Sequence, residues 1–454
     1  MKKILTILLA IGFSIPAFAG GVPGRIYTAS RPYNMGISHY PAYAGQLQKQ
    51  IGMPTLPEGF LFIKYYQIEK ESICPISQFA IGQRVGIFTR ATSASAPKTW
   101  MNSSGIMQLN TASNTLTQDG GYYDGTSFHA QNSGITIEAA GTNKLTYSNV
   151  FTNVAWVKTT VTVSDTDAGS TTPDGSAISS SLTASAGNGM VVQPIVDAAA
   201  GIYTASVWLK RKTGTGTVNL RANILDSYSS VTVTSSWARF NVHSTSKTNP
   251  AFDLQLVTNA DAVYIYGAQL EKNPYPTSYI PTTTAALTRG AEVMKFETAG
   301  NRNASQETVM IKFVPKGGSF ANDNIVRCLL SSDNKKRYLY KITTLTAPRA
   351  IPNFTDSSSV WVTATTPSLL NTSYVITGVF KHSSPYVQIF TNGVSEATYA
   401  AADFITPAWG TYFYLGVDNS SVTQLNGGIQ KVVIFSRALS AGEVAAVSNL
   451  MALN

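Results

Sequence analysis

Residues 427–450 read GGIQKVVIFSRALSAGEVAAVSNL, and this stretch reveals more about the fold than any other part of the chain. Apolar side chains dominate residues 429–435, as they do in a β-strand that is covered on both faces. The side chains expected to cover it are Ile429, Val432 and Ile434 on one face and Val433 and Phe435 on the other. The stretch therefore begins with a predicted buried strand.

A short helix is predicted directly after this strand. Ser440 and Glu443 have the S-x-x-E spacing of a capping box, in which each side chain bonds the backbone N–H of the other residue. Val444, Val447 and Leu450 then recur at helical spacing. One stripe of this helix is therefore expected to dock on a sheet.

The order of strand, Arg437-Ala438-Leu439 corner and capped helix resembles the end of laminin-G-like domains of the concanavalin A-like lectin/glucanase superfamily. In that family the strand returns to a β-sandwich and the helix packs across it. The resemblance implies a fold that usually binds glycans or proteins and that is catalytic only in some branches.

The region before this segment is predicted to be almost entirely β. Short apolar runs separated by turn residues are typical of antiparallel strands. The predicted strands are 59–66, 308–313, 325–330, 337–342, 360–363, 374–380, 386–390, 412–417 and 428–435. Asn392-Gly393 is the favoured pair for a two-residue type I′ hairpin, which needs positive φ at both residues.

Five motifs mark a second module in the middle of the chain. They are FTRAT at 88–92, TNKLTYSN at 142–149, YTASVWLK at 203–210, GAQLE at 267–271 and TSYIPTT at 277–283. In this order they resemble a carbohydrate-binding-type jelly roll of bacteriophage tail and other virion proteins, which a laminin-G-like domain often follows. The resemblance implies an all-β chain with two consecutive antiparallel β-sandwiches, a small N-terminal region and one short C-terminal helix.

The predicted domains begin with a secretory signal. Lys2 and Lys3 precede a short apolar run, and Ala17-Phe18-Ala19 matches an A-x-A cleavage site. A secreted or cell-surface protein is therefore expected, with a virion protein as the alternative, although virion proteins do not normally carry such a signal. The predicted parts are a signal peptide (1–19), an attachment or assembly segment (20–85), a β-rich connecting region (86–142), a jelly roll (143–290) and a laminin-G-like sandwich (291–454).

Charge and cysteine content narrow the range of partners. The 33 Lys and Arg against 24 Asp and Glu give a net charge of +9, but the longest basic run is Lys210-Arg211-Lys212. A nucleic-acid-binding protein would concentrate such charges, so that partner is not expected. No later segment is long enough to be transmembrane. Cys74 and Cys328 are far apart in sequence, and a buried thiol at Cys328 is favoured over a disulfide.

No pattern of catalytic residues is visible. A glycanase needs two facing carboxylates, about 5–5.5 Å apart in retaining enzymes. The acidic residues of the last module that stand singly are Glu297, Glu307, Glu396 and Glu443. His39, His129, His243 and His382 share no metal-ligand spacing. The chain is therefore predicted not to be an enzyme.

Strand alternation in the middle module predicts a ligand-binding surface. It turns Tyr203, Ala205, Val207, Leu209, Val218, Leu220, Ala222 and Ile224 inward and Trp208, Lys210, Asn219, Arg221, Asn223 and Arg239 outward. Amides and guanidinium groups around one aromatic ring suit sugars, so Trp208, Lys210, Asn219, Arg221 and Arg239 are the candidate ligand-binding residues. The alternatives are an ordinary solvated face or a Trp208 ring packed under a loop.

The last module adds weaker candidates. Trp361 and Tyr414 are candidate exposed aromatic residues for ligand binding. Asp418-Asn419 resembles the loop position at which many relatives hold calcium, which makes these two residues the candidate metal ligands. Calcium takes 6–8 oxygen ligands and one pair supplies few, so a plain turn is favoured. No cofactor is therefore predicted, with calcium as the alternative.

These observations favour a secreted, non-catalytic, lectin-like adhesive protein that binds a glycan or a cell-surface receptor. Homo-oligomerisation or assembly into a larger particle would multiply weak contacts. The alternative functions are a structural component of a phage-like particle or cell-surface appendage, and a glycoside hydrolase on the concanavalin-like scaffold.

Overall fold

The structure is a computed structural model, and it divides the chain into two compact units, Met1–Asn34 and Met35–Asn454. All residues that it describes belong to the second unit. They are 37–38, 61–64, 87–90, 97–112, 114, 116–123, 127–131, 133–298, 305–316, 326–332, 338–342, 348–351, 362–366, 369–381, 387–400, 410–417, 424–435 and 437–452. The predicted signal peptide and Cys74 lie outside them, as does the side chain of Cys328.

The described residues form strands β1–β31 and one helix, so the predicted all-β class is confirmed. The strands of the first half are β1 (Ile37–Ser38), β2 (Leu61–Lys64), β3 (Ile87–Thr89), β4 (Lys98–Met101), β5 (Met107–Asn110), β6 (Gly121–Tyr123), β7 (Phe128–Ala130), β8 (Ile135–Ile137), β9 (Gly141–Asn143), β10 (Val157–Thr159), β11 (Val161–Asp167), β12 (Ser179–Ala184), β13 (Gly189–Pro194), β14 (Thr204–Thr213), β15 (Val218–Arg221) and β16 (Ser229–Val231). The later elements are β17 (Ala238–His243), β18 (Ala251–Leu256), β19 (Ala262–Glu271), β20 (Leu287–Arg289), β21 (Val293–Glu297), β22 (Gln306–Pro315), β23 (Val326–Ser332), β24 (Tyr338–Ile342), β25 (Pro348–Ile351), β26 (Val362–Thr363), β27 (Tyr374–Lys381), β28 (Val387–Thr391), β29 (Val394–Tyr399), β30 (Tyr412–Leu415), β31 (Gly427–Phe435) and helix α1 (Ala441–Ala452).

The middle of the chain folds into a sandwich of two five-stranded antiparallel sheets. Their strand orders are β10-β13-β18-β15-β16 and β11-β12-β19-β14-β17. The predicted alternation along β14 is confirmed, since Tyr203, Ala205, Val207 and Leu209 are all buried in the core between the sheets. The aromatic centre of this core is Trp156, whose ring meets Phe252 edge-on at 5.5 Å.

The predicted alternation fails after β15. This strand ends at Arg221, so the next residues no longer follow a period of two. Asn223 was expected outside but is buried, and its Nδ2 donates to the Thr248 carbonyl at 3.1 Å. Ile224 was expected inside but is half-exposed. Both expectations were wrong because β15 ends three residues before Ile224, the last residue of the apolar pattern.

A second sandwich contains an eight-stranded and a seven-stranded antiparallel sheet. The first has the order β1-β2-β31-β22-β27-β28-β29, with β8 also paired to β31, and the second has the order β26-β25-β24-β23-β30-β21-β3. The strands predicted in the last 150 residues are all present within a few residues of their expected bounds. Strands β1, β2, β3 and β8 come from regions predicted as separate segments, so pairing crosses those predicted boundaries.

The closing strand and helix lie as expected. Ile429, Val432 and Ile434 of β31 face the core between the sheets, whereas Val433 and Phe435 face the helix. Helix α1 buries Val444, Val447 and Met451 against that outer face, with Leu450 beside them.

The capping box at the start of α1 is confirmed. The backbone N–H of Ser440 donates to Glu443 Oε2 at 2.8 Å, and the N–H of Glu443 donates to Ser440 Oγ at 3.4 Å. Asn392 and Gly393 both have positive φ, 51° and 84°, as the predicted hairpin requires. Local sequence chemistry thus accounts for the helix start and for this turn.

Candidate functional site

The five candidate residues of the middle sandwich do not share one surface. Asn219 and Arg221 lie on β15, whereas Trp208 and Lys210 lie on β14 and Arg239 lies on β17. These strands belong to different sheets of the sandwich, and their outward side chains therefore point away from each other. We call the two surfaces the β15 face and the β14 face.

The ring of Trp208 on the β14 face is not available to a ligand. Only 6% of this residue is exposed, because the β4–β5 and β6–β7 hairpins cover it. Met101 and Met107 pack in the same cluster, and the ring of Tyr123 meets the indole edge-on at 5.4 Å. The prediction of an exposed, sugar-stacking ring at Trp208 was therefore wrong, because a segment from elsewhere in the chain fills that surface.

Arg239 and Lys210 on the β14 face bond to neighbouring parts of the protein. Arg239 donates from Nη1 to the Thr277 carbonyl at 2.8 Å and from Nη2 to Ser206 Oγ at 3.0 Å. Burial lowers the pKa of this guanidinium from its ordinary value. Lys210 Nζ donates to Ser170 Oγ at 3.0 Å. The bonds to Thr277 and Ser170 connect this sheet to loops of the same sandwich, whereas the bond to Ser206 lies within the sheet.

The β15 face presents two lateral rows of side chains, because paired residues of neighbouring strands point to the same side. The first row consists of Val157, Val192, Asp253 and Arg221. The second row consists of Thr159, Met190, Gln255, Asn219 and Ser230. The β10 and β13 half is largely apolar, whereas the β18, β15 and β16 half carries amides, a carboxylate, a guanidinium and a hydroxyl. Thr159, Ser230 and Val157 are exposed to solvent, the last at 53%.

Arg221 is held on this face by a buried carboxylate. Its Nε donates to Asp253 Oδ2 at 2.8 Å, and its Nη2 lies 2.6 Å from the same oxygen. Tyr228 also donates to this oxygen, at 3.0 Å, and its ring lies 4.0 Å from the guanidinium carbon. Burial and the Asp253 charge raise the pKa of Tyr228 to about 12. The ion pair thus holds a planar guanidinium and a phenol in fixed positions.

Asn219 and Gln255 form a hydrogen-bonded amide pair beside the ion pair. Asn219 Nδ2 donates to Gln255 Oε1 at 2.9 Å, and Ser230 Oγ donates to Asn219 Oδ1 at 2.9 Å. These bonds orient the two planar amides. Gln255 is only 9% exposed and Asn219 is half-buried, so the donors and acceptors open to neighbouring hydroxyls are mainly those of Asn219. The sequence predicted Asn219 and Arg221 as neighbours on one surface, but it gave no signal that Tyr228 would complete it.

The candidates of the second sandwich give no comparable surface. Tyr414 on β30 is half-buried and packs against the core rather than standing free. Trp361, Asp418 and Asn419 lie outside the described residues, so their roles stay predictions. Within the part of the chain that the structure describes, no group of three His, Cys, Asp or Glu side chains could hold a metal ion. In that same part, no helix is long and apolar enough to cross a bilayer.

A buried ion cluster is a further polar feature of the chain, and the sequence did not predict it. Its members are Arg90, Lys98, Glu138, Arg289 and Glu292, and we call it the ion cluster. Burial opposes the ionisation of Glu138, but Lys98 and Arg289 hold the pKa of its carboxyl well below the usual range. Lys98 and Glu292 are 194 residues apart, so no local motif could reveal the cluster.

Comparison with known families finds a match in the second sandwich. Residues 308–445 match a laminin G family model described as the concanavalin A-like lectin/glucanases superfamily. The matched range includes β27–β31 and the start of α1, so this part of the chain is a laminin-G-like domain, as its closing segment predicted. None of the curated proteins matches the sequence.

Solved structures resemble the chain only distantly. The CBM40 of the Ruminococcus gnavus IT-sialidase, bound to α2,3-sialyllactose, is 20% identical over 32% of this chain and 83% of its own, with a TM-score of 0.27. The botulinum neurotoxin serotype D binding domain is 14% identical over 36% and 41%, with a TM-score of 0.29. The heptameric SAP-like pentraxin of Limulus polyphemus is 13% identical over 32% and 69%, with a TM-score of 0.25. This chain spans 40% to 42% of the first three solved chains that it resembles. These likenesses therefore carry no argument about what it binds.

Proposed function

We propose that this chain is an exported, non-catalytic protein that binds glycans through the β15 face of its middle sandwich. The observation that carries the proposal is the pairing, on one sheet face, of an apolar half with oriented planar polar groups. Asn219, Gln255 and Arg221 are planar donors and acceptors, and Val157, Val192 and Met190 lie beside them. The match of residues 308–445 to a lectin-containing superfamily supports carbohydrate binding in general.

A sugar ring has the matching chemistry. Its hydroxyls pair with amides and guanidinium groups, whereas its C–H surface packs against aliphatic side chains. The face is part of a sheet and offers few contacts, so we expect each site to be weak. Several copies held together would raise the overall affinity without any new contact.

The test is a glycan array probed with the wild-type chain and with the double variant Asn219→Ala and Ser230→Ala. Neither substitution uncovers the Arg221–Asp253 ion pair, so the fold should be kept. Each lost hydrogen bond contributes ~0.5–1.5 kcal/mol, which predicts binding weaker by about fivefold or more for the double variant.

The matched control is Thr162→Ala, which removes an exposed hydroxyl from β11 of the other sheet. We expect this variant to bind as the wild type does. Equal binding by the double variant would show that the β15 face is not the site. A wild-type chain that binds no glycan would favour a structural role in a particle or appendage, and release of reducing sugar from a polysaccharide would reveal a hydrolase.

A further inference from the structure

The ion cluster holds a lysine amine against a carboxylate inside the protein. Lys98 Nζ contacts Glu138 Oε2 directly and lies 3.3 Å from Glu292 Oε2. The Lys98 side chain is 1% exposed, that of Glu138 is 12% exposed and that of Glu292 is fully buried. We propose that the chain forms an isopeptide bond between Lys98 Nζ and Glu138 Cδ, with Glu292 as the proton-transfer group.

Lys98 is the one member of the ion cluster whose nitrogen can become a nucleophile. Arg90 and Arg289, the other two cations, are guanidinium groups, which keep their protons in proteins. An ammonium that gives one proton to a neighbouring carboxylate becomes a nucleophilic amine. Both carboxylates of the ion cluster, Glu138 and Glu292, lie against Lys98 Nζ.

The carboxyl group of Glu138 is polarised by fixed donors. Ser278 donates to Glu138 Oε2 from Oγ at 2.8 Å and from its backbone N–H at 3.3 Å. Arg289 Nη2 lies 3.1 Å from the same oxygen. Attack at Cδ places negative charge on this oxygen, and donors that are already in position stabilise such a charge without reorganisation.

Glu292 is placed to move the protons. Its Oε2 lies 3.3 Å from Lys98 Nζ and accepts the Glu138 backbone N–H at 2.9 Å. Arg90 Nη1 donates to Glu292 Oε1 at 2.8 Å, so the carboxylate is held in one orientation. A buried carboxylate in contact with the amine of one reactant and the backbone of the other is suited to general acid–base work.

The reaction needs no added reagent. Lys98 first gives one proton, through Glu292, to Glu138 Oε1, which leaves an amine beside an uncharged carboxyl group. The amine lone pair then forms the N–Cδ bond while the carbonyl electron pair moves to Oε2. Glu292 takes a second proton from the nitrogen and passes it to Oε1, whose bond to Cδ breaks as water leaves and the Oε2 electron pair re-forms the carbonyl. Two of the three ammonium hydrogens depart in that water and the third stays on the amide nitrogen. The positive charge of Lys98 and the negative charge of Glu138 cancel, and nothing is oxidised or reduced.

The site favours the product because it is dry. A buried ion pair has a large desolvation penalty, and an amide of the same atoms has no net charge to desolvate. The new bond would close the chain between residues that are 40 positions apart. It would join Lys98 of β4 covalently to Glu138, the residue directly after β8, and this cross-link would resist mechanical or proteolytic opening.

Trypsin provides a direct test on the full chain. No Lys or Arg lies between residues 99 and 143, so an unmodified chain gives peptides 91–98 and 99–144. The isopeptide blocks cleavage after Lys98 and gives one looped 91–144 peptide, lighter than its sequence mass by one water, about 18 Da. Recovery of the two separate peptides at full mass, from protein kept folded for a day at neutral pH, would overturn the proposal.

Two variants test the chemistry. Lys98→Arg keeps the positive charge but removes the amine, so we expect peptides 91–98 and 99–144 at full mass. Glu292→Gln keeps the shape but cannot take a proton, so we expect cleavage after Lys98 in a chain whose circular dichroism matches the wild type. A looped peptide formed at the wild-type rate in Glu292→Gln would exclude Glu292 from the reaction. A Glu292→Gln chain that misfolds leaves the wild-type peptide mass as the deciding measurement.

Discussion

Replacing Trp208 by alanine should destabilise the protein and leave glycan binding unchanged. The residue is 6% exposed and packs beneath the β4–β5 and β6–β7 hairpins. Truncation of a buried tryptophan to alanine costs ~3–5 kcal/mol through lost transfer free energy and the cavity left behind. The edge-on contact with Tyr123 supplies about 0.5–1.5 kcal/mol beyond the buried area.

Trp208→Phe is the matched control for this prediction. The indole Nε1 has no hydrogen-bond partner among the described residues, so phenylalanine removes a buried donor that gains nothing in the folded state. We expect a loss in the free energy of unfolding below ~1.5 kcal/mol, which is usual when a hydrophobic replacement keeps most of the volume. The alanine and phenylalanine variants should therefore differ by about 2 kcal/mol or more.

Urea denaturation of the three proteins, followed by far-ultraviolet circular dichroism, measures these differences. Binding to an array glycan is measured on the same samples in the absence of urea. A Trp208→Ala variant that unfolds within ~0.5 kcal/mol of the wild type, the range of ordinary surface substitutions, would show that Trp208 is not a packed residue. Loss of glycan binding in the folded alanine variant would show that the β14 face is the binding surface.

Three further predictions concern an ion pair, a helix cap and a turn. Arg221→Leu should lower the free energy of unfolding by ~3–5 kcal/mol, because it leaves the buried Asp253 carboxylate without its cation. Arg221→Leu combined with Asp253→Leu should lower it by less, and equal losses in urea denaturation would contradict this. Hydrogen bonding from Arg437 lowers the pKa of Glu443 to about 2. The ionised Glu443 carboxylate therefore stabilises the folded protein fully above the ordinary pKa of 4.5, and this stabilisation is lost as the pH falls toward 2. The stability difference between wild type and Glu443→Gln should therefore shrink from pH 7 to pH 3, and a constant difference would refute the assignment. Gly393→Ala should lower the free energy of unfolding by ~1–2 kcal/mol because φ is 84°. Asn392→Asp keeps the oxygen that accepts the Val375 N–H and should be tolerated, and equal melting temperatures for both variants would argue against strain at this turn.

Much of the fold was predictable because strands, caps and tight turns are local. The alternation of Tyr203 to Leu209 placed those side chains in the core, and the spacing of Ser440 and Glu443 marked the start of the helix. The prediction failed at Ile224, where an apolar residue continues the pattern after β15 has ended. Periodicity reports which side chains suit a strand, but hydrogen-bond pairing with β16 and β18 decides where that strand stops.

The candidate site was less predictable than the fold. Alternation identified Trp208, Asn219, Arg221 and Arg239 as outward side chains, but it could not tell which of them share a surface. The structure places them on opposite faces of one sandwich and covers Trp208 with a segment about 100 residues earlier in the chain. Asn219 and Arg221 remain together on the β15 face, whereas Trp208 and Arg239 are cross-strand partners on the covered β14 face.

The all-β class, the laminin-G-like end of the chain and its capped helix could be predicted from the residues alone, because these features depend on residues within one or two turns or strands of each other. Tertiary structure alone decided which polar face stays open, which indole is buried, and that Lys98 meets Glu138 beside Glu292. Those outcomes depend on contacts between residues 32 to 194 positions apart. Such contacts are set by sheet pairing and packing, and no period or spacing in the local sequence reveals them.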